Sequence, residues 1–480
     1  MSIVNLFDRL LDKIVIFKEA FIKYKHNKIK FIFLVLFKIT GIDRKIENSI
    51  VKNYKFNMVK IKKEPKISVI IPTFNGEKEG LEQLIKSIYN QKYDNIEIIA
   101  VDSGSTDNTL SILKKYGCKI LKIRKEDFRH DYARNLGADI ASGKYLFFTV
   151  QDAKLACNNY FKKAISILEK NDNIVSFSAR QKAKQNACLY AKFLSEQFAT
   201  SNGYLFDYNV IGNKYFNPFL IKILRNDQLA KLIHVDDTNH LTKRDFFIEN
   251  KFSVPTCEDM EYGKKILMNN KFFVYSNEVY IEHSHVYNEK NIPKYFKRVF
   301  IDMLTIYDLI GYKQSYLNIE FETMLYSLFY LMNNLSHIQI NIVSNGTVNF
   351  LDIIKINQLI DEEYPILPYF LKIGRMLKIE DKKNLSEKMV KKIQKKVFFI
   401  YKYFFSKDYR FLVKNIIVKD KNTKVLNAMK NFIVFYNIKF FATYISYYCY
   451  ASVYSHIKEE LMLNLCIDYQ KKKTEDIKRK

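Results

Sequence analysis

Glu258 and Asp259 stand side by side in V-P-T-C-E-D-M-E-Y-G-K-K-I-L, just ahead of a segment whose Ile266 and Leu267 fit the inner face of a helix. Carboxylates at a helix N-terminus meet free backbone amides and the positive end of the dipole, which favours the ionised form and would keep a base deprotonated at neutral pH. On the residues alone, ordinary helix-start charge is the competing reading. Further on, His283 and His285 in E-H-S-H-V-Y lie at i, i+2, on one face of a strand. Two imidazoles so placed can ligate a metal or contact a diphosphate, or merely end a half-exposed strand. Asp102 closes an apolar run and is followed by Ser103, Gly104, Ser105, Thr106 and Asp107. Ser105 or Thr106 can cap the next helix while Asp102 faces a crevice and accepts hydrogen bonds from a base or ribose, the alternative being a plain turn and cap. His130 and Arg134 fall one helical turn apart, so both can face the same crevice.

These residues need a frame, and the apolar pattern supplies one. Short runs at 67–71, 96–101, 119–123 and 145–150 alternate with helical stretches at 81–89, 106–116 and 132–141. Strands apolar on both faces and separated by helices indicate a mostly parallel sheet covered on both sides, with ligands beyond the carboxyl ends of its strands. Polar clusters sit at those ends: Thr73, Phe74 and Asn75 after the first, Asp102 to Asp107 after the second, Gln151, Asp152 and Ala153 after the fourth. No G-x-G-x-x-G is present, which argues against a dinucleotide.

The chain has 480 residues, enough for two or three units. Ten of its thirteen glycines lie at or before Gly263, so tight turns and close backbone approaches belong to the first half. Residues 1–64 read as a basic helical extension, 65–300 as the α/β unit and 301–480 as a helical C-terminal domain. The six cysteines never form a C-x-x-C pair, which suggests neither a zinc knuckle nor a disulfide scaffold and fits a reducing cytosol. The net charge of +27 comes from 66 Lys and only 12 Arg. Arg suits forked phosphate and guanine contacts better, so no nucleic acid is expected as a partner. Runs such as 31–37 are too short to span a bilayer, and no signal segment opens the chain.

Three stretches together, K-I-S-V-I-I-P-T-F-N, V-D-S-G-S-T-D and F-F-T-V-Q-D-A, resemble the nucleotide-sugar half of family 2 glycosyltransferases with the GT-A fold, over about residues 66–290. Phe128, His130, Arg134 and Asn135, with Thr149, Gln151, Asp152 and Ala153, resemble the bacterial rhamnosyltransferase-like subgroup. The resemblance implies a Rossmann-like sheet flanked by helices and an inverting transferase. It makes Thr73, Asn75, Asp102, Ser103, His130, Arg134, Gln151 and Asp152 donor contacts, with Arg134 neutralising a leaving diphosphate. It makes Asp259 the general base and Glu258 an acceptor contact or orienting group, and it places Asn239, Arg244 and His283 on the acceptor side. Val150 stands where the family's metal motif has its first Asp. Asp152 therefore remains, with help from His285, to hold Mg²⁺ or Mn²⁺ weakly.

The implied partners are a nucleotide-sugar donor, dTDP-rhamnose before a UDP-sugar, and a saccharide or lipid-linked acceptor of bacterial surface polysaccharide. An inactive scaffold for envelope assembly is the rival that the missing carboxylate keeps open, and a nucleic-acid binder is the rival suggested by charge. The expected place is the cytoplasm, with peripheral attachment to the inner membrane. Lys23, Lys25, Lys28 and Lys30 beside apolar faces, and Lys391, Lys392, Lys395 and Lys396 among Ile393, Val397 and Phe398, fit an anionic membrane surface as a further partner. A solvated Lys-rich face is the alternative.

Overall fold

The computed structural model describes residues 51–53, 64–212 apart from 203 and 205, 226–288, 291–310, and short stretches between 405 and 443. Ten strands join one sheet. In chain order the elements are β1 (Val51–Asn53), β2 (Ile67–Thr73), α1 (Leu81–Tyr89), β3 (Ile96–Asp102), α2 (Thr109–Lys115), β4 (Lys119–Lys122), α3 (His130–Asp139), β5 (Tyr145–Thr149), β6 (Lys154–Leu155), α4 (Tyr160–Lys170) and β7 (Ile174–Lys182). There follow α5 (Leu189–Ser201), β8 (Tyr208–Ile211), α6 (Asn226–Leu232), β9 (Asn239–Lys243), α7 (Arg244–Glu249), α8 (Glu258–Met268), β10 (Phe272–Glu282) and α9 (Ile292–Leu309).

The sheet order is β1-β8-β10-β7-β9-β5-β2-β3-β4, with β6 paired to β10 off this path. β5, β2, β3 and β4 are mutually parallel, β7 and β10 run with them, and β9 is inserted antiparallel between β5 and β7. The mixed, mostly parallel α/β architecture expected from the alternation is therefore present. Period-two side-chain alternation explains why the strands read as uninterrupted apolar runs. Val69, Ile71, Tyr145 and Phe147 enter the core under α1 and α4, while Ile70, Ile99, Leu146 and Phe148 enter the core on the other face. Pro72 is tolerated inside β2 because the rungs with β5 end at Ile70 and only β3 flanks the strand beyond.

Two helices lie unusually close to their neighbours. A Cβ on Gly137 of α3 would come 2.5 Å from Ile70 Cγ2, and one on Gly263 of α8 would meet the Ile233 carbonyl oxygen. The helices that carry Arg134 and Asp259 are thus seated against the sheet and against the segment 233–237, fixing their depth.

Three differences from the sequence reading concern elements. Residues 51–53 pair with β8 as a strand inside the stretch read as helical, and the remainder of 1–63 lies outside the described residues. α2 begins at Thr109, capped in effect by Asp107, whose Oδ1 accepts from Thr109 N and Oγ1; Ser105 and Thr106 do not cap it. Helix α9 crosses the proposed boundary at residue 300 without a break. The described parts of the C-terminal region pack on the sheet unit: the Tyr190 ring meets Phe432 and Phe435, Gln197 Nε2 donates to Asp408 Oδ1 at 2.6 Å, and Asn431 Nδ2 donates to Tyr287 O at 2.8 Å. The basic stretches proposed for membrane contact, 23–30 and 388–402, fall outside the described residues. Among those described, no helix is long and apolar enough to cross a membrane.

Candidate active site

The carboxyl ends of β2, β3 and β5 are latched to one another by the side chains that the sequence reading offered to a nucleotide. Asp102 is 1% exposed. Its Oδ1 accepts from Gly104 N at 3.1 Å and Ser105 N at 3.0 Å, and its Oδ2 from Ser105 Oγ at 2.5 Å and Thr73 Oγ1 at 3.2 Å. Four donors saturate a carboxylate. Asp102 therefore shapes the loop instead of facing the crevice, which corrects the reading of it as an open acceptor for base or ribose. Thr73 and Ser103 are likewise buried, Ser103 Oγ donating to Thr73 O at 3.2 Å. Asn75 adopts a left-handed φ of 47° and its Oδ1 accepts from Thr106 N at 2.8 Å. Gln151 spends both ends of its amide on the Phe74 backbone, at 2.9 and 3.0 Å. These residues tie the loops at the strand ends together and hold their shape.

Beyond β5 and β10 the structure assembles a metal-competent cluster. Ligand atoms of Asp152, His283 and His285 all lie within 4.8 Å of one another. β6 brings this about: Leu155 pairs with Ile281 and Lys154 with Glu282, so Asp152 and His283 meet although the chain between them is long. His283 Nε2 lies 3.4 Å from Asp152 Oδ2 and has no hydrogen-bond partner despite its burial. Desolvation by its neighbours and then the Arg298 charge lower the His285 pKa, although the residue is exposed, and both favour the neutral ring that can ligate. One carboxylate and two imidazoles fit a divalent ion that accepts nitrogen as well as oxygen, Mn²⁺ more readily than Mg²⁺. His283, for which the sequence left a metal, a diphosphate and an acceptor-side role open, lies in this cluster.

Arg134 corrects a second reading. Its side chain is fully buried, with Nη1 in contact with Glu258 Oε1 and Nη2 2.7 Å from Asp237 Oδ2. A guanidinium held between two carboxylates under the crevice is not free for a leaving diphosphate. Glu258, 3% exposed, is correspondingly its partner and not an acceptor contact. Burial raises the Glu258 pKa and Arg134 pulls it back. His130, one turn before, remains reachable by solvent at the mouth of the cleft; the enclosing walls and then the Arg134 charge lower its pKa to about 4, leaving a neutral ring.

Asp259 is partly buried, and its ionisation differs from the expected one. Burial, then the charges of Asp237, Glu258 and Asp236, hold its pKa well above the ordinary aspartate value, against the helix dipole. His234 Nε2 lies 3.8 Å from its Oδ2. Asp237, which the sequence reading passed over, is shifted the opposite way: burial opposes ionisation, yet Arg134 and His130 lower its pKa. Neighbouring carboxylates with opposed shifts are a recurring sign of divided acid and base roles. The helix bearing Asp259 follows Cys257, a non-glycine residue at φ 53°, a costly conformation that turns the chain into the site.

Two acceptor-side assignments fail on position. Asn239 is fully buried, its Oδ1 accepting from Ala179 N at 2.5 Å and Tyr160 OH at 3.0 Å, and its Nδ2 donating to Asp236 at 3.0 Å. Arg244 follows Lys243, which pairs with Tyr145 at the start of β5, so it sits at the opposite end of the sheet from Asp152. The inserted antiparallel direction of β9 is the reason, and no sequence signal announced it. Asp236, Asp237 and Gln181 are the residues missed. The D-D pair in H-V-D-D-T-N-H was the available signal.

Residues 68–249 match the family model described as glycosyl transferase family 2. An uncharacterized glycosyltransferase of Haemophilus influenzae is 26% identical over 273 residues, which is 50% of this chain and 78% of that protein. The GalNAc(5)-diNAcBac-PP-undecaprenol beta-1,3-glucosyltransferase of Campylobacter jejuni is 31% identical over 178 residues, 32% of this chain, and the match spans only 55% of that relative. A solved mannosyltransferase from Pyrobaculum calidifontis, in complex with GDP-Man and Mn²⁺, aligns over 52% of this chain and 64% of its own at a TM-score of 0.37 and 16% identity. Taken with the α/β sheet and the strand-end site, the match supports a family 2 glycosyltransferase domain over residues 68–249.

Proposed function

We propose that the protein transfers a sugar from a nucleoside diphosphate sugar to a hydroxyl of a saccharide or lipid-linked acceptor in bacterial surface glycan synthesis, with inversion at the anomeric carbon. The observation that carries this reading is the cluster of Asp152, His283 and His285 at the same sheet end as Asp259, whose pKa is held high. The Campylobacter relative's name specifies an undecaprenyl diphosphate-linked acceptor, which supports a lipid-linked substrate. The donor sugar is proposed as rhamnose from dTDP-rhamnose on the motif resemblance, with a UDP-sugar second.

In this reading Asp152, His283 and His285 would hold a divalent cation, which would supply positive charge to a departing diphosphate. The loops at 73–76 and 102–106 seat the nucleotide, their shape fixed by the Asp102 latch. Asp259 takes the proton from the acceptor hydroxyl as its oxygen bonds to the anomeric carbon and the bond to the diphosphate oxygen breaks. Asp237, kept ionised by Arg134, raises the proton affinity of Asp259 and so strengthens it as a base. The two imidazoles supply the ligands that the missing first carboxylate would have given, which weakens the case for an inactive scaffold.

The test is release of nucleoside diphosphate from a panel of nucleotide sugars with Mn²⁺ or Mg²⁺, with and without a polyprenyl diphosphate saccharide. Acceptor-dependent turnover of one donor is expected. No turnover of any donor, with the wild-type chain folded and Mn²⁺ bound, would overturn the reading.

A further inference from the structure

A chain of polar contacts runs beneath the crevice from Asp236 to the metal cluster. Gln181 Nε2 donates to both carboxylate oxygens of Asp236, at 2.8 and 2.7 Å, which turns the Gln181 Oε1 the other way, 2.9 Å from His283 Nδ1. An amide oxygen only accepts, so Nδ1 carries the proton. In the neutral ring the lone pair is then on Nε2, the buried atom without a hydrogen-bond partner that faces Asp152 Oδ2 at 3.4 Å. Asp236 is itself held in place, accepting from Thr238 N at 3.0 Å, Thr238 Oγ1 at 2.5 Å and Asn239 Nδ2 at 3.0 Å.

We propose that Gln181 and Asp236 are positioning residues for the metal site: they fix the His283 tautomer, so that Nε2 is presented as a ligand and not as a donor to Asp152. The proposal rests on the reading of Asp152, His283 and His285 as metal ligands. The competing tautomer explains why a relay is needed. With its proton on Nε2, His283 would donate to Asp152 and close the space between them, so a cation would have to displace that hydrogen bond before binding. The Gln181 oxygen removes this competitor by giving the proton a partner on the far side of the ring, and Asp236 stops the amide from turning over. Outer partners of ligating histidines act this way generally, and their loss costs about 10- to 100-fold in metal affinity.

The experiment uses the full chain labelled with ¹⁵N-histidine, free of metal, at about pH 8, where an unperturbed imidazole is neutral. It reads the protonated nitrogen of His283 and, separately, the Mn²⁺ dissociation constant without donor. Wild type is expected to show Nδ1–H. Gln181→Met removes the acceptor and should move the proton to Nε2 and weaken Mn²⁺ about 10- to 100-fold. The double variant Gln181→Glu with Asp236→Asn rebuilds the relay with its charge moved one residue, and should restore the Nδ1 tautomer and most of the affinity. An Nε2–H ring in wild type, unchanged tautomer and affinity in Gln181→Met, or no recovery in the double variant would each overturn the relay. His283→Ala separates the two readings: if it binds Mn²⁺ like wild type, the metal assignment itself fails, whereas lost binding alongside an unaffected Gln181→Met removes the relay alone.

Discussion

The Arg134 guanidinium and the Asp237 carboxylate lie 2.7 Å apart, the arginine wholly out of solvent and the aspartate about a quarter exposed at the crevice. The charge of this pair that reaches solvent is therefore the carboxylate, while the arginine stays beneath it.

Replacing Arg134 with Met should destabilise the fold by about 3–5 kcal/mol, because it leaves the buried Glu258 and the partly buried Asp237 without a counter-charge. Denaturant midpoints measure this. A variant with wild-type stability and only a raised donor KM would instead mean that the arginine meets the diphosphate.

Asp259→Asn should leave donor binding near wild type and lower turnover by about 10²-fold or more. Because the Asp259 pKa is raised, the base is lost by protonation as pH falls, so the acid limb of kcat/KM should lie well above the ordinary aspartate value of about 3.9. The stability sign is the reverse. A carboxyl whose folded pKa is raised costs stability as pH rises above its unfolded pKa, so Asp259→Asn should be more stable than wild type at neutral pH and the gap should vanish in acid. Thermal melts across pH read it.

Asp152→Ala should abolish metal-dependent donor binding, with excess Mn²⁺ failing to restore it, because one of three ligands and the site's charge are gone together. Donor affinity that neither a chelator nor the substitution changes would indicate a metal-free route.

Asp102→Asn should cost about 1–3 kcal/mol of stability, since an amide nitrogen then faces donors at Gly104, Ser105 or Thr73. A direct nucleotide contact would give the opposite pattern, weakened donor binding at unchanged stability.

What the sequence displays follows from what each residue must satisfy. Ile67–Thr73 and Tyr145–Thr149 are apolar on both faces because both faces are covered, and that is visible in any window of the chain. Ile174–Lys182 carries Ser176 and Ser178 at fully buried positions, so it lacks the apolar run that marked the others. Asp259 and Asp152 stand out in the sequence through the motifs that hold them. Arg134 and Asp102 were legible as important but not as buried, because a residue that binds a ligand and one that organises the residues around it are the same types at the same strand ends. Asp237 shows locally only as half of the D-D pair, which says nothing of its partner. Its role exists only where the segment after α6 passes over Arg134, a meeting of residues 103 positions apart.

The two rungs joining Leu155 to Ile281 and Lys154 to Glu282 carry a consequence for the order of assembly. The strand-end contacts close within residues 73–151, spanning at most 77 positions, whereas Asp152 meets His283 and His285 only when the last strand of the sheet has paired. A chain emerging from its N-terminus can thus close the loops at 73–76 and 102–106 while Asp152 still lacks His283 and His285, which join it only after residue 285 has arrived.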